Sequence, residues 1–290
     1  FGQKQFQPQE IRDLGVSNAT DYRVEIEPKS GGRIYPYGTN LRVATQDPAF
    51  ASAEVPSGKK LFLVGSLSQP GLNNTLYQTD VVLSNPLAQA IAVDMTFTAV
   101  GVSSLPQTPV RVTLQPGESQ RLANVIADKW HITNQVGFLS FQSTTADGPL
   151  PRLTGESYDN ANPARRFGQS MIPQGDQEAA GVRQGQALVG LRQGDAWRTT
   201  IWLMNPSTDQ GLYDVIYRKL DGTILGRFTS LPLGPGKMKQ IRPSEHPLGG
   251  LSIEDGFTVQ VLVKAGKVLA AGQVINNRTN DPAYIRGETR

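Results

Sequence analysis

Protein chemistry needs groups that hold or move charge, and this chain is poor in the usual ones. It has two histidines, His131 and His246, and no cysteine. Neither histidine has a second histidine or an acidic cluster beside it in sequence, so a metal site or a Ser-His-Asp arrangement is poorly supported. The absence of cysteine excludes disulfides, thiolate metal sites and thiol nucleophiles. The carboxylates are scattered through turns and do not form the facing pair that glycoside hydrolysis requires. The glycine-rich stretch "GVRQGQALVG" (Gly181 to Gly190) lacks the helix that a phosphate-cradling loop must open. No catalytic residue, cofactor or metal is expected, and the chain reads as a non-enzyme.

Two oxygen-rich stretches, "SYDNAN" (Ser157 to Asn162) and "NNRTND" (Asn276 to Asp281), carry the ligand types that Ca²⁺ takes. The same residues also make Asx-turns and backbone caps, which is the preferred reading. Asn18, Asn73 and Asn277 each begin an Asn-x-Ser/Thr triplet, meaningful only in a host that glycosylates it.

Composition narrows the classes further. Net charge is +3 and the basic residues are dispersed, Arg165 and Arg166 being one of few pairs. A nucleic-acid footprint needs a clustered basic stripe, so nucleic-acid binding is not expected. No apolar run approaches the ~20 residues that span a bilayer. The opening "FGQKQFQPQE" has no signal-peptide pattern, so either export is encoded upstream of Phe1 or the protein stays inside. At 290 residues, with 38% hydrophobic residues, 30 Gly and 20 Pro, the chain predicts several domains built of short strands and many turns.

The elements that position these residues repeat. "YQTDVVLSNP" (Tyr77 to Pro86) matches "WRTTIWLMNP" (Trp197 to Pro206) at an offset of 120 (197 minus 77). "VDMTF" at Val93 matches "YDVIY" at Tyr213 at the same offset. "LQPG" at Leu114 matches "LGPG" at Leu233, and "GFLSF" at Gly137 matches "GFTVQV" at Gly256, both at 119 (233 minus 114, 256 minus 137). A shared order at near-constant spacing predicts two copies of one domain, residues 58–175 and 183–288. Each copy reads as about seven half-buried antiparallel strands closed by Gly, Pro, Asn or Asp, with one helical turn in "LANVIADKW" (Leu122 to Trp130).

A third, partial copy stands at the start. "TQDPAF" (Thr45 to Phe50) repeats "TNDPAY" (Thr279 to Tyr284), with a blurred version at Ala161 to Arg165. Upstream of these phrases, Val24 and Ile26 align with Val259 and Val261, and Gly38 with Gly272. Residues 1–51 are therefore expected to be the C-terminal strands of a preceding repeat, which exposes edges and an apolar face. An upstream part of the polypeptide, a cleaved piece that stays bound, or strands of a neighbouring subunit could complete it.

These stretches, with "SYDNANPARRFGQSMIP" and "VINNRTNDPAY", resemble the tandem immunoglobulin-like repeats of large secreted or surface proteins of bacteria. In such repeats an aromatic-Arg-Thr entry, an Asn-Pro strand end, a Leu-x-Pro-Gly turn and a final Asn-Arg-Thr-x-Asp-Pro recur, and the second copy carries all of them. The first has Gln78 in place of the entry Arg198 and lacks an Asn-Arg-Thr, so no role of Arg198 or Arg278 extends to it. The resemblance implies all-β tandem sandwiches outside the cell, serving as non-catalytic structural or adhesive modules.

Strand alternation also suggests where partners touch. If Ile201 and Leu203 face the core, Trp202 and Met204 face outward, where the first copy has Val82 and Ser84; Ile216 points out where it has Thr96. Trp202, Met204 and Ile216, with Val24 and Ile26 of the open repeat, are the candidate contact residues for a protein partner or neighbouring subunit. A carbohydrate ligand is the alternative, and it requires Trp130, Trp197 or Trp202 on an exposed platform.

Overall fold

A computed structural model of the chain describes residues 4–13, 15, 24, 26, 29, 36–42, 47–52, 56–72, 74–101, 106–161, 167–248, 250 and 252–289. Residues 1–36 and 37–290 form two compact units. The first contains α1 (Pro8–Asp13), whose Glu10 accepts a hydrogen bond from the Gln7 amide at 2.7 Å and pairs with Lys4.

The second unit is built of antiparallel sheets, the all-β class that the turn-rich composition implies. It opens with a hairpin of β1 (Tyr37–Arg42) and β2 (Asp47–Ser52). Two strand sets follow. The first comprises β3 (Lys60–Pro70), β4 (Leu76–Ser84), β5 (Ile91–Ala99), β6 (Val110–Leu114), β7 (Ser119–Leu122), β8 (Gln135–Ser143), β9 (Arg152–Asp159), β10 (Gly168–Met171) and β11 (Gln174–Gly175). The second comprises β12 (Gly185–Gln193), β13 (Trp197–Met204), β14 (Gly211–Lys219), β15 (Ile224–Leu233), β16 (Met238–Ile241), β17 (Ile253–Ala265), β18 (Leu269–Asn276), β19 (Pro282–Arg286) and β20 (Glu288–Thr289).

The second set forms two facing sheets, β15-β14-β17-β12-β20 and β16-β13-β18-β19. The first set pairs in the corresponding order, β6-β5-β8-β3-β11 and β7-β4-β9-β10. There, β3 crosses between the layers by pairing with β4 at Gln69↔Tyr77 and Pro70↔Leu76. Each pair of sheets encloses a core, around Leu63, Phe97 and Phe141 in the first and around Leu188, Tyr217 and Val261 in the second. The cause is visible in β5, where Ile91, Val93, Met95 and Phe97 are buried at period two.

Both orders keep two pairings of the immunoglobulin sandwich, second strand with fifth and third with sixth. They differ in the flanking strands: the first lies beside the sixth and the seventh beside the second, whereas in the immunoglobulin order the first and seventh occupy the opposite sheets.

Three details differ from the sequence expectation. "GFLSF" is offset by 120 in space, because Thr98 faces Phe138 as Arg218 faces Thr258. At 119, the buried Leu139 would fall on the outward Thr258; a one-residue slip exchanges strand faces, so burial decides the register. The inserted residue lies in the crossing before β8 and β17, made by α2 (Val125–Trp130) in the first set and one turn of 3-10 helix at Pro243–Glu245 in the second. "TNDPAY" forms a turn and begins β19, a return strand beyond the seven expected of each copy.

The third detail concerns residues 1–51. The β1–β2 hairpin has the register of β18–β19 at a constant offset of 234: Gly38↔Ala51 and Leu41↔Pro48 match Gly272↔Ile285 and Ile275↔Pro282. Val24 and Ile26, expected in a strand, lie outside strands and are 60% and 49% exposed. β17, their sequence counterpart, is held between β12 and β14; among the described residues nothing supplies those neighbours here, and an unsupported strand is not stable in water.

Candidate functional site

The outward faces of the two strand sets meet. β3 is "KLFLVGSLSQP", continuously apolar at its start, and it buries both sides: Leu61 and Leu63 in its own core, Phe62 and Val64 in a second cluster. A continuous apolar run is the signature of a strand covered on both faces. In that second cluster, Phe62, Val64, Leu67, Val136 and Phe138 of the first set pack on Trp202, Met204, Met238, Ala271 and Ile275 of the second. Phe62 and Phe138 meet edge to face at 6.1 Å.

Trp202 and Met204 thus point away from their own core, as alternation requires, and each is about 1% exposed. Their contact is with the preceding strands of the same chain. The indole lies over Gly65, a β-bulge residue between Val64 and Ser66 with φ of +86°. Trp202 Nε1 has no hydrogen-bond acceptor among the described residues. Ile216 lies on the outward face of β14, between Gln260 and Arg227 in register, and is 8% exposed. The stems of those two long neighbours are placed to cover it.

Polar contacts rim the joint. The Tyr284 hydroxyl donates to the Val64 carbonyl at 3.1 Å, Tyr77 to the Asn280 carbonyl at 3.3 Å, and Gln174 Nε2 to the Ala270 carbonyl at 3.1 Å. The connecting segment is fastened at both ends. Asp176 accepts from the Lys59 amide at 2.8 Å in the first set, and Glu178 pairs with Arg286 at 2.6 Å in the second. Tyr284, the last letter of "TNDPAY", was not a sequence candidate; its signal was the aromatic shared with Phe50 at the end of the repeated phrase.

The equivalent face of the first set is polar. Val82 and Ser84 stand where Trp202 and Met204 do, beside a buried Asp80 that accepts from Arg121 at 2.7 Å, Tyr158 at 2.8 Å and the Asn124 amide at 2.7 Å. Those bonds satisfy the carboxylate locally, as a buried charge requires.

The oxygen-rich turns spend their oxygens on the chain itself. Asn276 Oδ1 accepts from the Arg278 and Thr279 amides at 2.8 and 3.2 Å. Asn277 and Asn280 accept from Arg198 at 2.8 and 3.1 Å, which orients the turn that receives Tyr77. Asp159 Oδ1 accepts from the Leu76 and Ala161 amides, 2.8 and 2.9 Å away. These are the Asx-turn and capping geometries. Among the described residues no group of three or more His, Asp or Glu is placed to hold a metal ion. The Asn277 amide nitrogen donates to the Gly194 and Asp195 carbonyls; Asn18 and Asn73 lie outside the described residues.

His246 lies in the second core. Its Nε2 is 2.8 Å from the Thr199 carbonyl, which only accepts, so Nε2 carries the proton and Nδ1 accepts from the Tyr217 hydroxyl at 2.8 Å. Burial holds the imidazole pKa below its ordinary value. A cavity of about 290 Å³ opens beside it, lined in part by Gln193, Asp195, Ser244 and Ser252. Both ring nitrogens are engaged within the fold, so the histidine acts as a core hydrogen-bonding residue.

None of the three tryptophans is exposed. Trp202 is in the joint, Trp130 packs on Phe97 and donates to the Thr108 carbonyl, and Trp197 lies under the Arg192 guanidinium. Among the described residues no helix is long and apolar enough to cross a membrane. Comparison of the chain with models of known protein families and with curated proteins found no match.

Proposed function

We propose that this chain is a run of tandem immunoglobulin-like sandwich modules serving as a non-catalytic structural or adhesive segment of a larger bacterial surface protein or fibre. The observation that carries the reading is the Trp202–Gly65 joint, in which one strand set buries its outward face on the other. A linker clamped through Asp176 and Glu178 adds to it, since a spacer or stalk needs its modules held against one another. The matching pairing order of β3–β11 and β12–β20 supports the tandem reading, and the β1–β2 register supports a third unit of the same kind. Strand complementation at that hairpin would link such units, since β18 is paired on both edges and β1 only with β2 among the described residues.

Protease shaving of intact cells of the source organism, followed by antibody detection of this segment, tests the location. Loss of the segment from intact cells is expected; protection until lysis would refute a surface role. Glycan-array binding by the full chain is expected to be absent, since no tryptophan offers an exposed platform.

A further inference from the structure

The receiving half of the Trp202 joint occurs twice. In β3 a bulge falls between Val64 and Ser66, and in β12 one falls between Val189 and Leu191. The residue inside each is glycine, Gly65 and Gly190, and both have φ of +86°. At Gly65 the space a side chain would need holds the Trp202 ring; at Gly190 nothing lies within 4 Å. Val64 is fully buried by the joint, whereas Val189, its counterpart, is 50% exposed. Val64 and Val189 also face equivalent partners, Phe138 and Thr258.

We infer that the outer face of β12 and β17 at Gly190 is a second docking face, and that its occupant is another sandwich of this chain's type presenting an aromatic ring where Trp202 stands. The inference rests on the tandem reading and adds a direction to it. The second unit carries both halves, a bare glycine bulge on its first strand and a ring on its second, so contacts between units of that kind are heterologous and extend head to tail. Ala187 and Thr258 replace Phe62 and Phe138 as walls, which makes the second face shallower and its joint weaker. Arg218, facing Thr258 in the same row, adds a cation for the incoming ring.

The test uses the full chain with residues 176–289 repeated once after Thr289, every tryptophan except the appended Trp202 being replaced by Phe. Acrylamide quenching of that single indole is expected to be as weak as that of Trp202 alone in the 290-residue chain. Gly190→Leu, or the surface change Val189→Glu should the first impair folding, should raise it several-fold. An appended indole that is fully accessible with Gly190 intact would overturn the inference and leave the tandem reading standing. An accessible Trp202 in the 290-residue chain would overturn both. Sedimentation of the unmodified chain as an oligomer that Val189→Glu dissolves would assign the face to a second copy and overturn the inference.

Discussion

The six-membered ring of Trp202 lies where Gly65 would carry a side chain: a Cβ built on Gly65 would stand 2.7 Å from Cε3 and Cζ3. Carbon atoms in contact need roughly 3.5–4 Å, so any other residue must displace the indole or the strand beneath it. Glycine meets two demands there, the close approach and a φ of +86°.

Gly65→Ala and Gly190→Ala separate those demands. Both introduce a Cβ at the same positive φ, at roughly 1–2 kcal/mol of backbone strain. Only the first also meets a ring, adding an overpacking cost of about 1–3 kcal/mol. Urea unfolding should show Gly65→Ala less stable than Gly190→Ala by that difference; equal losses would mean the indole moves aside freely.

Trp202→Ala should cost about 3–5 kcal/mol, the usual range for removing a large aromatic from a packed site. Trp202→Phe should cost well under half of that. It keeps a ring over Gly65 and removes an Nε1–H that has no acceptor among the described residues, itself a penalty of about 1–3 kcal/mol. Denaturant titrations of the two variants check this, and a Phe variant as weak as the Ala one would contradict it.

Period and spacing made much of this architecture legible. Alternation placed Ile201 and Leu203 inside and Trp202 outside, and the run of apolar residues in β3 already carried the information that both its faces are covered. What the ring touches was not legible, because Gly65 shows in sequence only as a missing side chain and its bulge conformation depends on β8 across the ladder. The return strand that begins within "TNDPAY" is not legible for a related reason: Pro282 reads as a strand breaker, yet it tolerates the first position of a strand, where no ladder donor is lost. The exchange of first and seventh strands between sheets is a long-range choice with no local residue signature.

The Asn-Pro strand ends read as proline stops, and the asparagine proves to be the structural element. Asn205 Nδ2 donates to the carbonyls of Asp209, Leu233 and Gly234 at 2.8, 3.1 and 3.3 Å. Asn85, 120 positions earlier (205 minus 85), does the same to Gln89, Leu114 and Gln115. Asn205→Asp is isosteric but sets a carboxylate against those carbonyls, costing on the order of 3 kcal/mol or more at neutral pH. Only the protonated acid can donate there, so its folded pKa must rise above the unfolded value of about 3.9. Stability is then lost as pH rises through the folded pKa. The variant's deficit relative to the parent should shrink at about pH 4, and a pH-independent deficit would count against the donor role.

The imidazole of His246 gives the pH response of the parent chain. Nε2–H donates to the Thr199 carbonyl and Nδ1 accepts from Tyr217, whose own pKa is raised by burial; this arrangement needs the neutral ring. Burial accordingly lowers the folded pKa below the ordinary 6.5. Below 6.5 the unfolded chain takes up a proton that the fold resists, so stability declines as pH falls from 6.5 toward the folded pKa and is flat with respect to this group above 6.5. The slope in that window is bounded at about 1.4 kcal/mol per pH unit for one group. His246→Gln keeps a donor and an acceptor but cannot charge, and groups elsewhere contribute equally to both proteins. Subtracting its urea stability from that of the parent between about pH 5 and 8 should leave a curve that falls only on the acid side of 6.5. A flat difference would show that the ring accepts a proton in the fold as readily as in the unfolded chain, which its burial opposes.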